Sequence, residues 1–218
     1  MLLPWHWLQS CVAYLLTLSY PKTHQHARLR MLSVMVVRLS GAMSPCNQEN
    51  LQLEKSRKRR VLFLFIHSMI SILSGGGLIS GVALAAKAIN PSIRILAAEP
   101  KGADDSAQSK AAGRIIKLPA TNTIADGLRA FLGDLTWPVV RDLVDDVIVV
   151  DDNAIVDAMK MCYETLKVAV EPSGAIGLAA ALSDEFKQSS IWHESSKIGI
   201  IVSGGNVDLR VLWESLCK

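Results

Sequence analysis

The chain has 218 residues, of which half are hydrophobic, and a formal net charge of +3 from 23 basic and 20 acidic side chains. This length and composition predict a folded protein with a sizeable buried core and exclude a disordered chain. The nearly balanced charge gives no general case for a nucleic-acid partner, which would need basic residues concentrated on one face. The four cysteines are widely spaced and form no C-x-x-C pair, so they indicate neither a zinc site nor a disulfide framework and favour a reducing cytoplasm.

The N-terminal third of the sequence shows no regular pattern. Neither helical nor strand periodicity extends over a long window, and no caps or turns divide the segment, so residues 1–70 are expected to be irregular or poorly ordered. His24 and His26 are weak evidence for a metal site, because no third ligand type lies nearby. The basic run at residues 55–60 is open to three interpretations, which are a nuclear signal, a nucleic-acid patch and a solvated charge cluster.

Two apolar stretches in this third resemble targeting signals. Residues 8–18 lack a preceding basic region and a small-residue cleavage site, which argues against a signal peptide. Residues 61–73 are shorter than the roughly 20 apolar residues that a membrane-spanning helix needs. We therefore expect no membrane segment, and a protein tethered by residues 61–73 remains an alternative that membrane fractionation would reveal.

From Leu73 onward the sequence alternates short apolar runs with helical patterns. Such alternation predicts a parallel sheet with helices on both faces, that is, an α/β fold. Ligands of such sheets bind at the carboxyl ends of the strands, where two glycine-rich turns of this sequence fall. The predicted helices cover residues 81–89, 106–112, 137–143, 151–168 and 175–186, and the predicted strands cover residues 92–98, 115–118, 146–150 and 197–202.

A glycine triplet precedes the first of these helices. The backbone N–H groups of residues without a Cβ atom can converge on one anion, and the positive end of the helix dipole reinforces them. A tight turn that needs positive φ is the structural alternative. The run matches neither the Rossmann nor the Walker pattern, since no lysine follows in register. The proposed phosphate-binding run is Ser74, Gly75, Gly76, Gly77 and Leu78.

Other polar residues follow the predicted strands or precede helices. Ser203 ends the last strand, where its hydroxyl could meet a ring nitrogen, although for this position taken by itself a simple turn serine is the better interpretation. Glu99, Asp104 and Asp105 lie in a loop that could present oxygens to magnesium or calcium. The alternative is that the two aspartates cap the next helix. Glu171 begins a helix and could face the same site.

Taken in order, these segments resemble one family, the fold-type II pyridoxal-phosphate enzymes, in particular the plant-type serine racemases and their serine and threonine dehydratase relatives. The resemblance covers residues 73–212. It is carried by the strings SGGGLISGVALAAKAI, AAEPKGADDSAQSK, TNTIADGL, VEPSGAIGLAAAL and IIVSGGNVDL.

The resemblance implies the tryptophan synthase beta-like fold of these enzymes, here incomplete, with pyridoxal 5'-phosphate and Mg²⁺ or Ca²⁺ as cofactors. It also implies a homodimer and a small amino-acid substrate, serine or threonine, with neither nucleic acid nor membrane as partner. It divides the chain into residues 1–72, a segment foreign to the family, and residues 73–218, the large cofactor-binding domain. It implies that Ser74, Gly75, Gly76, Gly77 and Leu78 hold the phosphate, Ser203 bonds the pyridine nitrogen, Gly127 and Glu171 lie around the ring, and Glu99, the Ala103 carbonyl and Asp105 bind the metal.

The chain departs from the family in its N-terminal third. In the family a lysine forms the Schiff base and a serine works from the opposite face, and both belong to an N-terminal segment. No lysine of this chain stands in the family's S-x-K-x-R-G setting, so no position inherits either catalytic role. We therefore expect a racemase and dehydratase (ammonia-lyase) by family resemblance, inactive as written. The alternative is a non-catalytic fragment that binds phosphate or pairs with an intact subunit.

An altered reading frame would explain this departure. When permitted codons for residues 34–49, VMVVRLSGAMSPCNQE, are regrouped from the third base of each, they can read YGGQVIWSDVTMQSRE, which resembles the family. Residues 5–30 and 57–70 can be regrouped in the same way. We hypothesise that residues 1–70 are frameshifted or mis-spliced and that the family frame resumes near Ile72. Stop codons in the shifted frame of the transcript would refute this.

Overall fold

The computed structural model describes residues 66–205, 207, 208 and 210, and the backbone of residues 12–19 and 30–38. These parts contain a six-stranded sheet with the order β2-β1-β6-β3-β4-β5. Strands β3 to β6 run parallel to one another, and β1 and β2 join the sheet antiparallel. The strands are β1 (Val12–Ser19), β2 (Arg30–Arg38), β3 (Ser68–Ile72), β4 (Arg94–Pro100), β5 (Asp146–Val150) and β6 (Lys197–Ser203).

Helices cover both faces of the parallel strands, as the alternating sequence pattern predicts. Successive strand side chains point to opposite faces, so Ile70 and Leu96 enter one apolar cluster, whereas Met69 and Ile95 enter the other. Helices α4 and α5 pack in the first cluster, and α1 and α3 pack in the second. The helices are α1 (Gly77–Ile89), α2 (Asp105–Ala112), α3 (Trp137–Leu143), α4 (Asp152–Met161), α5 (Pro172–Leu182), α6 (Asp184–Gln188) and α7 (Ser190–Glu194).

The order of the strands reverses next to β3. From β3 the chain proceeds to β4 and β5 on one side, and it returns as β6 on the other side. Ile70 of β3 is paired with Leu96 on one side and with Ile200 on the other. The carboxyl ends of β3 and β6 therefore flank the point where open α/β sheets bind their ligands.

Several predicted elements have the predicted bounds, and others are shifted or missing. The helix 137–143 and the strand 146–150 match the structure. The strand predicted at residues 115–118 is absent, because the Ile116 N–H donates to Ser109 Oγ at 2.8 Å instead of to a neighbouring strand. The helix predicted at 175–186 is divided at Ser183, whose hydroxyl caps α6 by accepting from the Phe186 N–H. The helix that begins after Asp151 ends at Met161 and continues as a π-helical turn.

The N-terminal third differs from the expectation of irregular structure at residues 12–19 and 30–38. These two runs are rich in Val, Leu and Met, and their backbones form β1 and β2. The rest of residues 1–65 lies outside the described residues, as do His24, His26 and the basic run. Within the described part of the chain, no helix is long and apolar enough to cross a membrane, and residues 68–72 form a strand.

Candidate functional site

The glycine run lies between β3 and α1, at the strand reversal. Gly76 is the N-cap residue of α1 and has a φ of 86°, in the left-handed region that favours glycine. A Cβ atom at this position would overlap the side chains of Thr136 and Leu132. No side chain caps the helix, so its first N–H groups remain available to a ligand. Gly76 is therefore required by the tight turn, and it also leaves the positive end of the helix open to an anion. The two interpretations of the run, a turn and an anion-binding loop, are thus compatible.

The carbonyl side of this loop is fixed to the protein. The Gly75 carbonyl accepts hydrogen bonds from the Gly133 N–H at 3.3 Å and from Thr136 Oγ1 at 2.7 Å. Ser74 Oγ donates to the Ala130 carbonyl at 3.2 Å. The loop is open at Gly77, because a Cβ atom built there would meet no atom of the described residues within 4 Å outside its own helix and chain neighbours. The loop is thus held by hydrogen bonds at the Gly75 carbonyl and open at Gly77, an arrangement that suits the binding of a phosphate group.

A second polar cluster surrounds the end of β6. Gly204 follows Ser203 with a φ of 78°, and a Cβ atom on it would overlap the Glu171 carboxyl group. A Cβ atom on Gly127 would lie 3.9 Å from Glu171 Oε1. The Glu171 carboxyl group therefore lies between Gly127 and Gly204. The fold brings together three of the residues proposed to surround a cofactor ring, namely Gly127, Glu171 and Ser203.

The N-terminus of α5 fixes this cluster. Gly174 lies against the Ser203 carbonyl so closely that any Cβ atom would overlap it. The buried Ser173 hydroxyl accepts from the Gly127 N–H at 3.1 Å. Ser203 and Gly127 are thereby held by the same helix end, although they are 76 residues apart in the sequence, the difference of their numbers.

The acidic residues lie at the end of the neighbouring strand, β4. Glu99 and Asp105 are both about 1% exposed, and Ala103 is fully buried. Glu99 accepts from the Ser106 and Ala107 N–H groups at 3.1 and 2.9 Å, and Asp105 Oδ2 accepts from the Leu132 N–H at 3.3 Å. Asp104 is the N-cap residue of α2 by position, but its side chain does not cap the helix.

Both buried carboxyl groups have raised pKa values. Burial raises the pKa of Glu99 to about 7, and the nearby charge of Asp105 adds to that shift, while the donors from Ser106 and Ala107 oppose it. Burial also raises the pKa of Asp105. No basic side chain among the described residues contributes to either shift. The described residues contain no group of three or more His, Cys, Asp or Glu that could hold a metal ion, so a cation here would need carbonyl or water oxygens as well.

Residues 126–136, termed the bridging segment, contact all three clusters. Gly127 touches the Ser173 hydroxyl, Ala130 and Gly133 hold the glycine loop, and the Leu132 N–H binds Asp105. One stretch of chain therefore fixes the glycine loop, the cluster around Glu171 and the acidic pair of Glu99 and Asp105 relative to one another.

The residues that support this arrangement carry no recognisable signal in the sequence. Thr136 is 61 residues from the carbonyl that it binds, and Ser173 is 46 residues from Gly127. No motif links such distant positions. Their only local signals are ordinary ones, since each precedes or begins a helix.

Comparison with known proteins shows which family the chain is similar to. A model of the family described as pyridoxal-phosphate dependent enzyme matches residues 66–204. Serine racemase from Oryza sativa subsp. indica is 91% identical over 153 residues, which are 70% of this chain and 45% of that protein. The serine racemase from Arabidopsis thaliana is 69% identical over 150 residues, which are 69% of this chain and 45% of that protein. The chain spans about half the length of these relatives.

A solved structure shows a similar fold. The structure of maize serine racemase matches with a TM-score of 0.68 and 82% identity, covering 77% of this chain and 49% of that one. The match supports the arrangement of sheet and helices described above.

Proposed function

The chain belongs to the family of pyridoxal-phosphate dependent enzymes, and on that premise we propose that its described residues are the cofactor-binding part of a serine racemase with serine and threonine dehydratase (ammonia-lyase) activity. The observation that carries the proposal is the pair of glycine-containing loops at the strand reversal, one open for an anion and one built around Ser203 and Glu171. The 91% identity to a rice serine racemase supports serine as the substrate.

The residues present fit pyridoxal phosphate. The phosphate would be held by the run from Ser74 to Leu78, through backbone N–H groups and the dipole of the 13-residue helix α1. The ring would lie between Gly127 and Glu171, with the Ser203 hydroxyl at the pyridine nitrogen. Gly127 and Gly204 suit this role because a larger residue at either position would collide with its neighbours.

When bound, pyridoxal phosphate supplies an electron sink for the Cα atom of an amino acid. Ser203 would meet the pyridine nitrogen with a neutral hydroxyl group, which would leave that nitrogen uncharged. An uncharged nitrogen withdraws fewer electrons and allows racemisation and β-elimination to compete. The role proposed for the chain's own residues is to bind and orient the cofactor, since neither the Schiff-base lysine nor its opposing serine has a counterpart in this sequence.

We further propose that the acidic pair binds Mg²⁺ or Ca²⁺. Glu99 and Asp105 would supply carboxylate oxygens and Ala103 its carbonyl oxygen, with water completing the shell. Two buried carboxyl groups without a basic partner among the described residues support this role, because a divalent cation would offset the free-energy cost of burying their charges.

The cation proposal predicts a pH-dependent response to Mg²⁺. Because the pKa of Glu99 is raised from 4.5 to about 7, its contribution to stability without metal is present below pH 4.5 and is lost as the pH rises through 7. Mg²⁺ binds the ionised form, so we expect it to raise the thermal midpoint more at pH 8 than at pH 5.5. Glu99→Gln should abolish both effects. A wild-type midpoint that is independent of Mg²⁺ at pH 8 would refute the site.

Calorimetric titration of the full chain with pyridoxal 5'-phosphate and with pyridoxal tests the cofactor proposal. We expect the phosphorylated compound to bind at least about tenfold more tightly, since several charge-assisted hydrogen bonds hold its phosphate. Equal affinities would contradict the proposal. Racemase and ammonia-release assays on the same chain should show no turnover of serine, and activity should appear only when the family reading frame is restored over residues 1–70.

One alternative is a non-catalytic fragment that pairs with an intact subunit. The two proposals differ in a mixing experiment with an intact serine racemase, where the fragment should enter a mixed dimer detectable by native mass spectrometry. The spacing of the cysteines supports cytoplasm as the compartment for either protein.

A further inference from the structure

Thr136 lies directly behind the glycine loop, where its hydroxyl group contacts the Gly75 carbonyl. We propose that Thr136 is a positioning residue for phosphate binding, because its hydroxyl group holds the Gly75 carbonyl and thereby turns the next N–H group toward the ligand. This inference rests on the proposed function, since it assumes that the glycine loop binds phosphate.

Two carbonyl groups lie close to the Thr136 hydroxyl behind the loop. Thr136 Oγ1 lies 2.7 Å from the Gly75 carbonyl oxygen and 3.0 Å from the Gly133 carbonyl oxygen. A hydroxyl group has one proton to donate, so the shorter contact, to Gly75, is the principal hydrogen bond. The Gly133 N–H supports the same carbonyl at 3.3 Å.

Peptide geometry converts this contact into an orientation. The peptide bond between Gly75 and Gly76 is planar and trans, so its N–H points opposite to its C=O. Because the carbonyl group of that bond points to Thr136, the Gly76 N–H must point to the other side of the loop. The Gly76 carbonyl, in turn, accepts from the Ser80 N–H at 3.0 Å within α1, which aims the Gly77 N–H away from the helix.

The packing at this point leaves little room for another arrangement. A Cβ atom on Gly76 would lie 2.5 Å from Thr136 Oγ1, and one on Gly133 would lie 3.2 Å from the same atom. The threonine side chain thus fills the space between two glycines. A residue of the same shape without the hydroxyl group would keep the packing and remove only the hydrogen bond.

Three substitutions can therefore distinguish the effect of the hydrogen bond from the effect of side-chain packing. They are Thr136→Val, Thr136→Cys and Thr136→Ser. The experiment measures the affinity of each full-length chain for pyridoxal 5'-phosphate, inorganic phosphate and pyridoxal by calorimetry. We expect Val to weaken binding of both phosphate compounds about five- to tenfold, Cys to weaken it less, and Ser to restore it to within about twofold. Pyridoxal, which lacks the phosphate, should bind all four chains equally. Thr121→Val is the matched control and should change nothing, because among the described residues the side-chain hydrogen bonds of the loop are made by Ser74 and Thr136 and not by Thr121.

The outcomes test the role of the Thr136 hydroxyl group and the proposed binding of phosphate separately. Unchanged phosphate affinity in a folded Thr136→Val chain, or a loss in Thr136→Ser equal to that in Val, overturns the role of the hydroxyl group. Equal losses for pyridoxal and its phosphate overturn it as well, since they indicate a general structural defect. If the Val chain fails to fold by circular dichroism, the Cys chain provides the same comparison. A wild-type chain that does not bind inorganic phosphate and binds pyridoxal 5'-phosphate no more tightly than pyridoxal overturns the proposed function itself, and this inference with it.

Discussion

Two adjacent residues of the glycine loop, Gly76 and Gly77, differ in what a side chain at each position would meet. Gly76 has a positive φ and lies against Thr136, whereas a Cβ atom on Gly77 would enter open space. The first glycine is therefore required for folding of the loop, and the second keeps its open side free for a ligand. The sequence shows the two only as equivalent letters in a triplet.

This difference predicts separate effects of two alanine substitutions. Gly76→Ala should lower the free energy of unfolding by about 1–3 kcal/mol, because it forces a strained φ and a collision. Gly77→Ala should change the free energy of unfolding by less than about 0.5 kcal/mol but weaken binding of inorganic phosphate, because its methyl group enters the open side. Urea unfolding and calorimetry on both chains measure these effects. Equal stabilities for the two variants would contradict the assignment.

Helices and strands were predicted correctly where neighbouring residues alone specify the element. Pro138 near the start of α3 and the β-branched run of β5 specify those elements from neighbouring residues alone. Residues 115–118 have the same apolar character, but a side chain of α2 satisfies the Ile116 N–H and no strand forms. Local pattern thus predicted the α/β class and the positions of the glycine loop and Ser203. It could not predict contacts that depend on long-range packing, such as those of Thr136.

Three elements are joined by one carboxylate before β5. Asp145 Oδ2 accepts from Lys87 Nζ of α1 at 3.0 Å and from the Ile95 N–H of β4 at 2.8 Å, and Oδ1 accepts from Arg94 at 3.0 Å. Burial alone would raise the pKa of Asp145, but the donors from Ile95, Arg94 and Lys87 outweigh it and lower the pKa. This carboxylate therefore stabilises the folded state in its ionised form.

Asp145→Asn should lower the free energy of unfolding by about 1–3 kcal/mol at pH 7. The reason is that the side chains of Lys87 and Arg94 lose the partly buried carboxylate to which they donate. Since the folded pKa is lowered, the contribution of Asp145 is present above its ordinary pKa and is lost as the pH falls through the folded value. The difference between wild type and variant should therefore shrink in acid. Asp184→Asn, which removes an exposed pair with Lys187, is the control and should cost less than about 0.5 kcal/mol. Similar losses in both variants would refute this role of Asp145.

At the scale of the whole molecule, the parallel strands depend on a neighbour at one side. Strand β6 is largely apolar and buried, and β1 pairs along it from Ala13 opposite Ser203 to Ser19 opposite Lys197. The N-terminal third of the chain thus supplies the strand that covers this edge. An uncovered edge of this kind is a template for pairing with other chains.

Deletion of residues 1–65 should therefore make the protein self-associate. Removing β1 would leave the backbone N–H and C=O groups of β6 unpaired at an edge. Light scattering coupled to size-exclusion chromatography, at several concentrations, compares the deleted chain with the full chain. A deleted chain with the same oligomeric state as the full chain at every concentration would show that β1 is dispensable for covering the edge.

The bridging segment also constrains how this protein can evolve. Residues 126–136 contact the glycine loop, the cluster around Glu171 and the acidic pair at once, so an amino-acid change in this segment alters all three surroundings. If the proposed cation and cofactor bind there, substitutions in the segment should change the affinity for both. Lineages that lose one of these ligands should then show relaxed selection across the entire segment and not only at the residues that touch the missing ligand.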